Sequence, residues 1–67
     1  MIQLSINGQP RRIQPGANIQ RLLHELELAG KRVAVEKNGE IVPRSRFVDT
    51  QLADGDTLEI VVAVGGG

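Results

Sequence analysis

Sixty-seven residues with eight basic and eight acidic side chains make one small domain of zero formal net charge. That balance argues against a nucleic-acid binder, which carries a basic excess, and the only aromatic residue, Phe47, provides no platform for stacking bases. With no cysteine, one histidine and scattered acids, the chain offers no disulfide, no thiolate nucleophile and no evident metal site.

Ile2, Leu4 and Ile6 alternate with Gln3 and Ser5, the period of a strand with one buried face. This opening lacks the charged region and long apolar run of a signal peptide, and no stretch of the chain approaches membrane-spanning length. A cytoplasmic protein without membrane contact is the expectation. Asn7-Gly8 is a strong hairpin signal, because both residues tolerate positive φ. Gln9 to Ile13 then returns as a second strand. Arg11 and Arg12 in its middle place it at or near an edge, where Pro10 is tolerated if its missing N–H faces away from the ladder.

Gln14-Pro15-Gly16-Ala17 breaks the pattern, and Asn18 is a suitable N-cap. Ile19, Leu22, Leu23 and Leu26 fall on one helical stripe. The periodicity predicts a helix end near Leu28-Ala29 with Gly30 as the C′ residue. Lys31 and Arg32 follow near the negative end of the helix dipole. His24 lies off the stripe and reads as a solvated residue, since no catalytic partners accompany it.

Val33 to Lys37 is a third strand. Asn38-Gly39 turns it into a short fourth, Glu40-Ile41-Val42, stopped by Pro43. From the loop after Pro43, Phe47 and Leu52 should turn inward. Arg44 and Arg46 lack the glycine-rich frame of a phosphate cradle and read as a solvated turn. Asp54-Gly55-Asp56 is a tight turn in which the acids can bond local amides. It has too few oxygen ligands, and no distal Glu, for a calcium loop.

The last strand runs from Leu58 to Val64, with Leu58, Ile60 and Val62 alternating against Val61 and Ala63. Its almost continuous apolar character suits a central position, parallel to the first strand. Strand pairs around one helix predict an α+β fold, a mixed sheet covered on one face. The strand leads into Gly65-Gly66-Gly67. Glycines without a Cβ cannot pack and lose the most freedom when ordered. The domain is therefore expected to span 1–64, with 65–67 as a flexible tail reaching about 10 Å when extended. The only reactive group on that tail is the α-carboxylate of Gly67. The plainer alternative is an inert end.

Taken together, certain segments resemble the ubiquitin-like β-grasp proteins, and among them the ThiS family of sulfur carriers. They are Gly16-Ala17-Asn18-Ile19 leading to Leu22-Leu23, Val33 through Arg44, Asp54-Gly55-Asp56 and the terminal glycines. The resemblance implies a protein co-substrate in thiamine thiazole biosynthesis, without catalytic residues or a bound cofactor. A ThiF-like enzyme would use ATP to adenylate the carboxylate of Gly67. A persulfide donor would convert it to a thiocarboxylate, and a ThiG-like thiazole synthase would take the sulfur. Gly65 and Gly66 would give the tail access to narrow active sites. The family pattern is a diglycine, so the third glycine is a departure, assigned to Gly65 as extra reach. Val61 and Ala63, facing away from the core, are the expected partner-binding residues. A MoaD-like carrier for molybdopterin synthase, a ubiquitin-like modifier of lysines and a plain interaction domain with inert glycines are the competing readings.

Overall fold

Local alternation and two Asn-Gly turns build the flanks of a sheet, and the last strand closes it through the middle. The computed structural model describes residues 1–63. In chain order they form β1 (Ile2–Ile6), β2 (Gln9–Ile13), α1 (Ile19–Glu25), β3 (Val33–Lys37), β4 (Glu40–Val42), a 3₁₀ turn (Arg44–Arg46) and β5 (Thr57–Val62). The strands make one mixed sheet in the order β2-β1-β5-β3-β4. As the sequence predicts, β5 is central and parallel to β1; on its other side it pairs antiparallel with β3. β2 is an edge strand, which accommodates exposed Arg11 and Arg12 and the proline opposite Ser5. Both hairpin turns have the positive φ that their type requires, 51° and 81° at Asn7 and Gly8, 52° and 87° at Asn38 and Gly39.

One face of the sheet supplies Leu4, Ile6, Ile13, Val35, Leu58 and Ile60 to the core. Ile19, Leu22 and Leu23 of α1 cover them, and Phe47 and Leu52 close the core from the β4–β5 connection, as expected. Asn18 caps the helix by accepting from the Arg21 amide at 2.7 Å, while its side-chain amide donates to the Val48 carbonyl. One residue thus starts the helix and ties it to the connection that carries Phe47.

The helix ends earlier than its periodicity predicts. Leu26 is the C-cap, and Glu27, not Gly30, is the C′ residue, with φ at 61°. The Glu27 amide donates to the His24 carbonyl at 3.0 Å and the Leu28 amide to the Leu23 carbonyl at 2.8 Å. This is the Schellman pair of bonds. The reversal folds Leu28 back against the core, and that burial outweighs the left-handed conformation forced on a glutamate. Gly30 serves the next turn instead, at φ 83°. The last strand also differs from expectation at its end: β5 stops at Val62, although the Ala63 amide still donates to the Arg32 carbonyl at 2.8 Å. Val64 and the expected tail, 65–67, lie outside the described residues.

Glu27→Gly probes the strain at this helix end. A left-handed residue with a Cβ costs roughly 1–2 kcal/mol, part of which the extra freedom of glycine in the unfolded chain offsets. The variant should gain about 0.5–1 kcal/mol in urea unfolding. A loss of stability would show that the Glu27 side chain matters more than its backbone strain.

Candidate functional site

β5 sets the launch point of the chain's last residues, and two asparagine side chains hold it in place. On the β1 side the backbone pairing is short, Ser5 with Thr57 and Ile6 with Leu58. β1 then leaves at its turn. Asn7 continues the row with its side chain: its amide nitrogen donates to the Ile60 carbonyl at 3.0 Å, and its carbonyl oxygen accepts from the Ile60 amide at 2.8 Å. The carboxamide thereby reproduces a peptide of the missing strand. On the β3 side, the Asn38 carboxamide oxygen accepts from the Thr57 amide at 2.9 Å, and its nitrogen donates to Asp56 Oδ1 at 3.0 Å.

Asp56 is the one buried charged residue among those described. It also accepts from the Ala53 amide at 2.8 Å, and Lys37 Nζ lies 3.9 Å away. A buried carboxylate needs such partners, because desolvation without them is expensive. Asp56 therefore bonds a local amide, as the turn reading expects. Asp54 does not: its Oδ1 accepts from the distant Gln3 amide at 2.7 Å. Together these bonds fasten both ends of β1 to the entry and middle of β5.

Beyond Ile60 the strand is held from one side. Val61 is opposite Ala34 and Val62 opposite Val33. The Ile60 peptide bonds to Asn7, so strand alternation turns the Val62 peptide to that same side, where β1 has already ended. Val62 lies at the rim of the core face, 36% exposed. Val61 is 63% exposed on the outer face, and Ala63 is also exposed, as the sequence suggests. Around Val61 that face carries Ala34, Ile41 and a direct cross-strand pair of carboxylates, Glu36 opposite Glu59. Like charges directly opposite destabilise a sheet, so the fold gains nothing from this pair. Gly65, Gly66 and Gly67 lie outside the described residues.

The body supplies little chemistry of its own. His24, Arg44 and Arg46 are exposed, as expected for solvated positions. Among the described residues no group of three or more His, Asp or Glu is placed to hold a metal ion, and no helix is long and apolar enough to cross a membrane. What the arrangement does is aim a strand end. The clamping roles of Asn7 and Asn38 escape a sequence reading, because the turn type alone explains an asparagine at both positions.

A single helix held in the curve of this mixed sheet defines a ubiquitin-like β-grasp protein. The chain belongs to the ThiS family, which residues 4–67 match. It is similar to the sulfur carrier protein ThiS of Bacillus subtilis, at 40% identity over 96% of this chain and 98% of that one. The crystal structure of the thiamine biosynthesis protein ThiS from Geobacter metallireducens superposes with a TM-score of 0.83, at 36% identity, covering 98% of this chain and 100% of the other. A thiazole synthase of Paramagnetospirillum magneticum is 44% identical over 98% of this chain, yet the chain spans only 20% of that protein's length.

Asn7→Gly isolates the clamp, since glycine keeps the positive φ and removes only the carboxamide. Losing two bonds worth about 0.5–1.5 kcal/mol each should lower stability by ~1–3 kcal/mol. Hydrogen exchange at the Ile60 amide should accelerate more than exchange at core amides of α1. Unchanged protection at Ile60 would mean that the clamp does not hold β5.

Proposed function

We propose that this protein is a sulfur carrier for thiazole formation in thiamine biosynthesis and that the carboxylate of Gly67 is the group that carries the sulfur. The observation that carries the reading is the family match, which extends through residue 67 and so includes the glycines. The anchoring of β5 supports it, because a strand held on both sides as far as Ile60, and by β3 through Val62, gives the next residues a defined starting point. The similarity to the thiazole synthase of Paramagnetospirillum magneticum supports the choice of acceptor.

The chemistry needs an activated acyl group. A carboxylate is a poor electrophile, so a ThiF-like enzyme would join it to the AMP moiety of ATP and release pyrophosphate. The terminal sulfur of a persulfide would attack the adenylate carbonyl and expel AMP. A second thiol would then cleave the S–S bond, leaving the thiocarboxylate on Gly67 and a disulfide as the other product. A ThiG-like thiazole synthase would take that sulfur into its substrate as the C–S bond to Gly67 breaks, and an oxygen from the substrate or from water would replace it to return the carboxylate. Gly65 and Gly66 serve access, since a β-carbon there would widen the tail and restrict its path into a narrow active site. The chain itself needs no bound cofactor on this reading and works in the cytoplasm, where ATP is at hand.

Deleting Gly67 should abolish ATP–pyrophosphate exchange by the activating enzyme. The thermal midpoint should stay unchanged, because the buried apolar residues among those described all precede Val61. Full exchange by the shortened chain would overturn the assignment of Gly67.

Partner docking is assigned to the outer face of the sheet around Val61 and Ala63. Val61→Asp should weaken binding of the activating enzyme at least about tenfold, equivalent to ~1.4 kcal/mol. The strand itself should lose no more than about 1 kcal/mol. Affinity equal to the unaltered chain would remove Val61 from the docking surface.

A further inference from the structure

A second surface adjoins the end of β5, on the opposite side of the sheet from Val61. Between the reversal after α1 and the 3₁₀ turn lies a groove of about 340 Å³ whose walls include Leu23, Leu28, Val33 and Phe47. Val48, at its mouth, is 56% exposed. Leu28 reaches this position only because the helix ends at the Glu27 reversal. The groove adjoins the end of β5: Val33 is the cross-strand partner of Val62, and the neighbouring Arg32 carbonyl accepts from the Ala63 amide.

Charge at the groove has one sign. Lys31 and Arg44 line it, and among the described residues no carboxylate does. Both cations are exposed, and among the described residues neither has a carboxylate within ion-pairing distance. The outer face around Val61 has the opposite character, with Glu36 and Glu59 side by side. A chain of zero net charge thus presents an acidic face and a basic groove at the same end of the sheet.

We propose that this groove is a docking site for the thiazole synthase, receiving an apolar side chain of that enzyme flanked by a carboxylate. The inference rests on the sulfur-carrier reading above. The apolar walls would desolvate the inserted side chain, and Lys31 and Arg44 would steer and hold the acid. The synthase is the partner of choice because the thiazole synthase of Paramagnetospirillum magneticum contains a segment similar to this whole chain as 20% of its length. A second thiazole synthase, from Magnetococcus marinus, does so to the same extent. Contacts between such a segment and a synthase body are then available within one polypeptide.

The test is calorimetric titration of the full-length chain into thiazole synthase at low and at moderate salt. The double reversal Lys31→Glu/Arg44→Glu should weaken binding at least tenfold at low salt and flatten its salt dependence, with an unchanged thermal midpoint. Val48→Asp should weaken binding at both salt concentrations. A control reversal on the edge strand, Arg11→Glu/Arg12→Glu, should leave affinity within twofold. The proposal is overturned if the Lys31/Arg44 variant binds within twofold of the unaltered chain, or if the edge-strand control loses as much. Those two outcomes leave the carrier role standing. If the unaltered chain does not bind the synthase at all, the carrier reading falls together with the groove.

Discussion

The structure depends on how β5 is held. It is the last strand in sequence and the middle one in the sheet, fixed by bonds that reach back to β1 at the start of the chain on one side and to β3 on the other. Backbone pairing to β1 lasts for two residue pairs. The Asn7 carboxamide then takes over at Ile60, while Asn38 grips Thr57 and Asp56 from the other flank. Each asparagine already sits at positive φ to close its hairpin. The same residue type therefore serves two constraints, and few others would: aspartate would lack the donor, and glycine would lack the side chain. Each clamp thus holds the central strand from a different flank.

This division of labour suits a member of the ThiS family. The described body has no cysteine, no group of three side chains placed to hold a metal ion and one buried charge, which is engaged in bonds. Its task is geometric. A carrier must offer one chemical group to several enzymes in turn, and each must recognise the body while handling the end. Two surfaces of opposite charge beside the same strand end fit that requirement better than a single patch would. One is acidic and apolar on the outer face, the other basic and apolar in the groove.

Much of the fold was legible in the sequence, because the signals were local. Alternation in Ile2–Ile6, the two Asn-Gly turns, the Ile19-Leu22-Leu23 stripe and the arginines of the edge strand each had one good reading, and the apolar last strand pointed to its central place parallel to the first. The inward turn of Phe47 and Leu52 was legible for the same reason: a chain this small has few other apolar residues to spend. What escaped was long-range. Gly30 carried the expected helix-end signal, but burial of Leu28 moved the reversal to Glu27. Asp54 looked like a turn residue bonding nearby amides, yet it holds Gln3, 51 positions away. The groove was invisible because its walls come from α1, β3 and the 3₁₀ connection, which only the folded chain brings together. The outer-face residues Val61 and Ala63 were legible as exposed, since strand alternation alone decides the side.

The central claim is that sulfur is carried on the carboxyl group of Gly67 while the rest of the chain stays chemically unchanged. Fragmentation mass spectrometry tests it most directly, applied to the full chain after incubation with ATP, the activating enzyme, a persulfide donor and a thiol. The account predicts exchange of one oxygen for sulfur, confined to the fragment ending at Gly67 and reversed on adding thiazole synthase with its other substrates. Sulfur on any other residue, or an unmodified chain linked through Gly67 to a lysine of another protein, would contradict it.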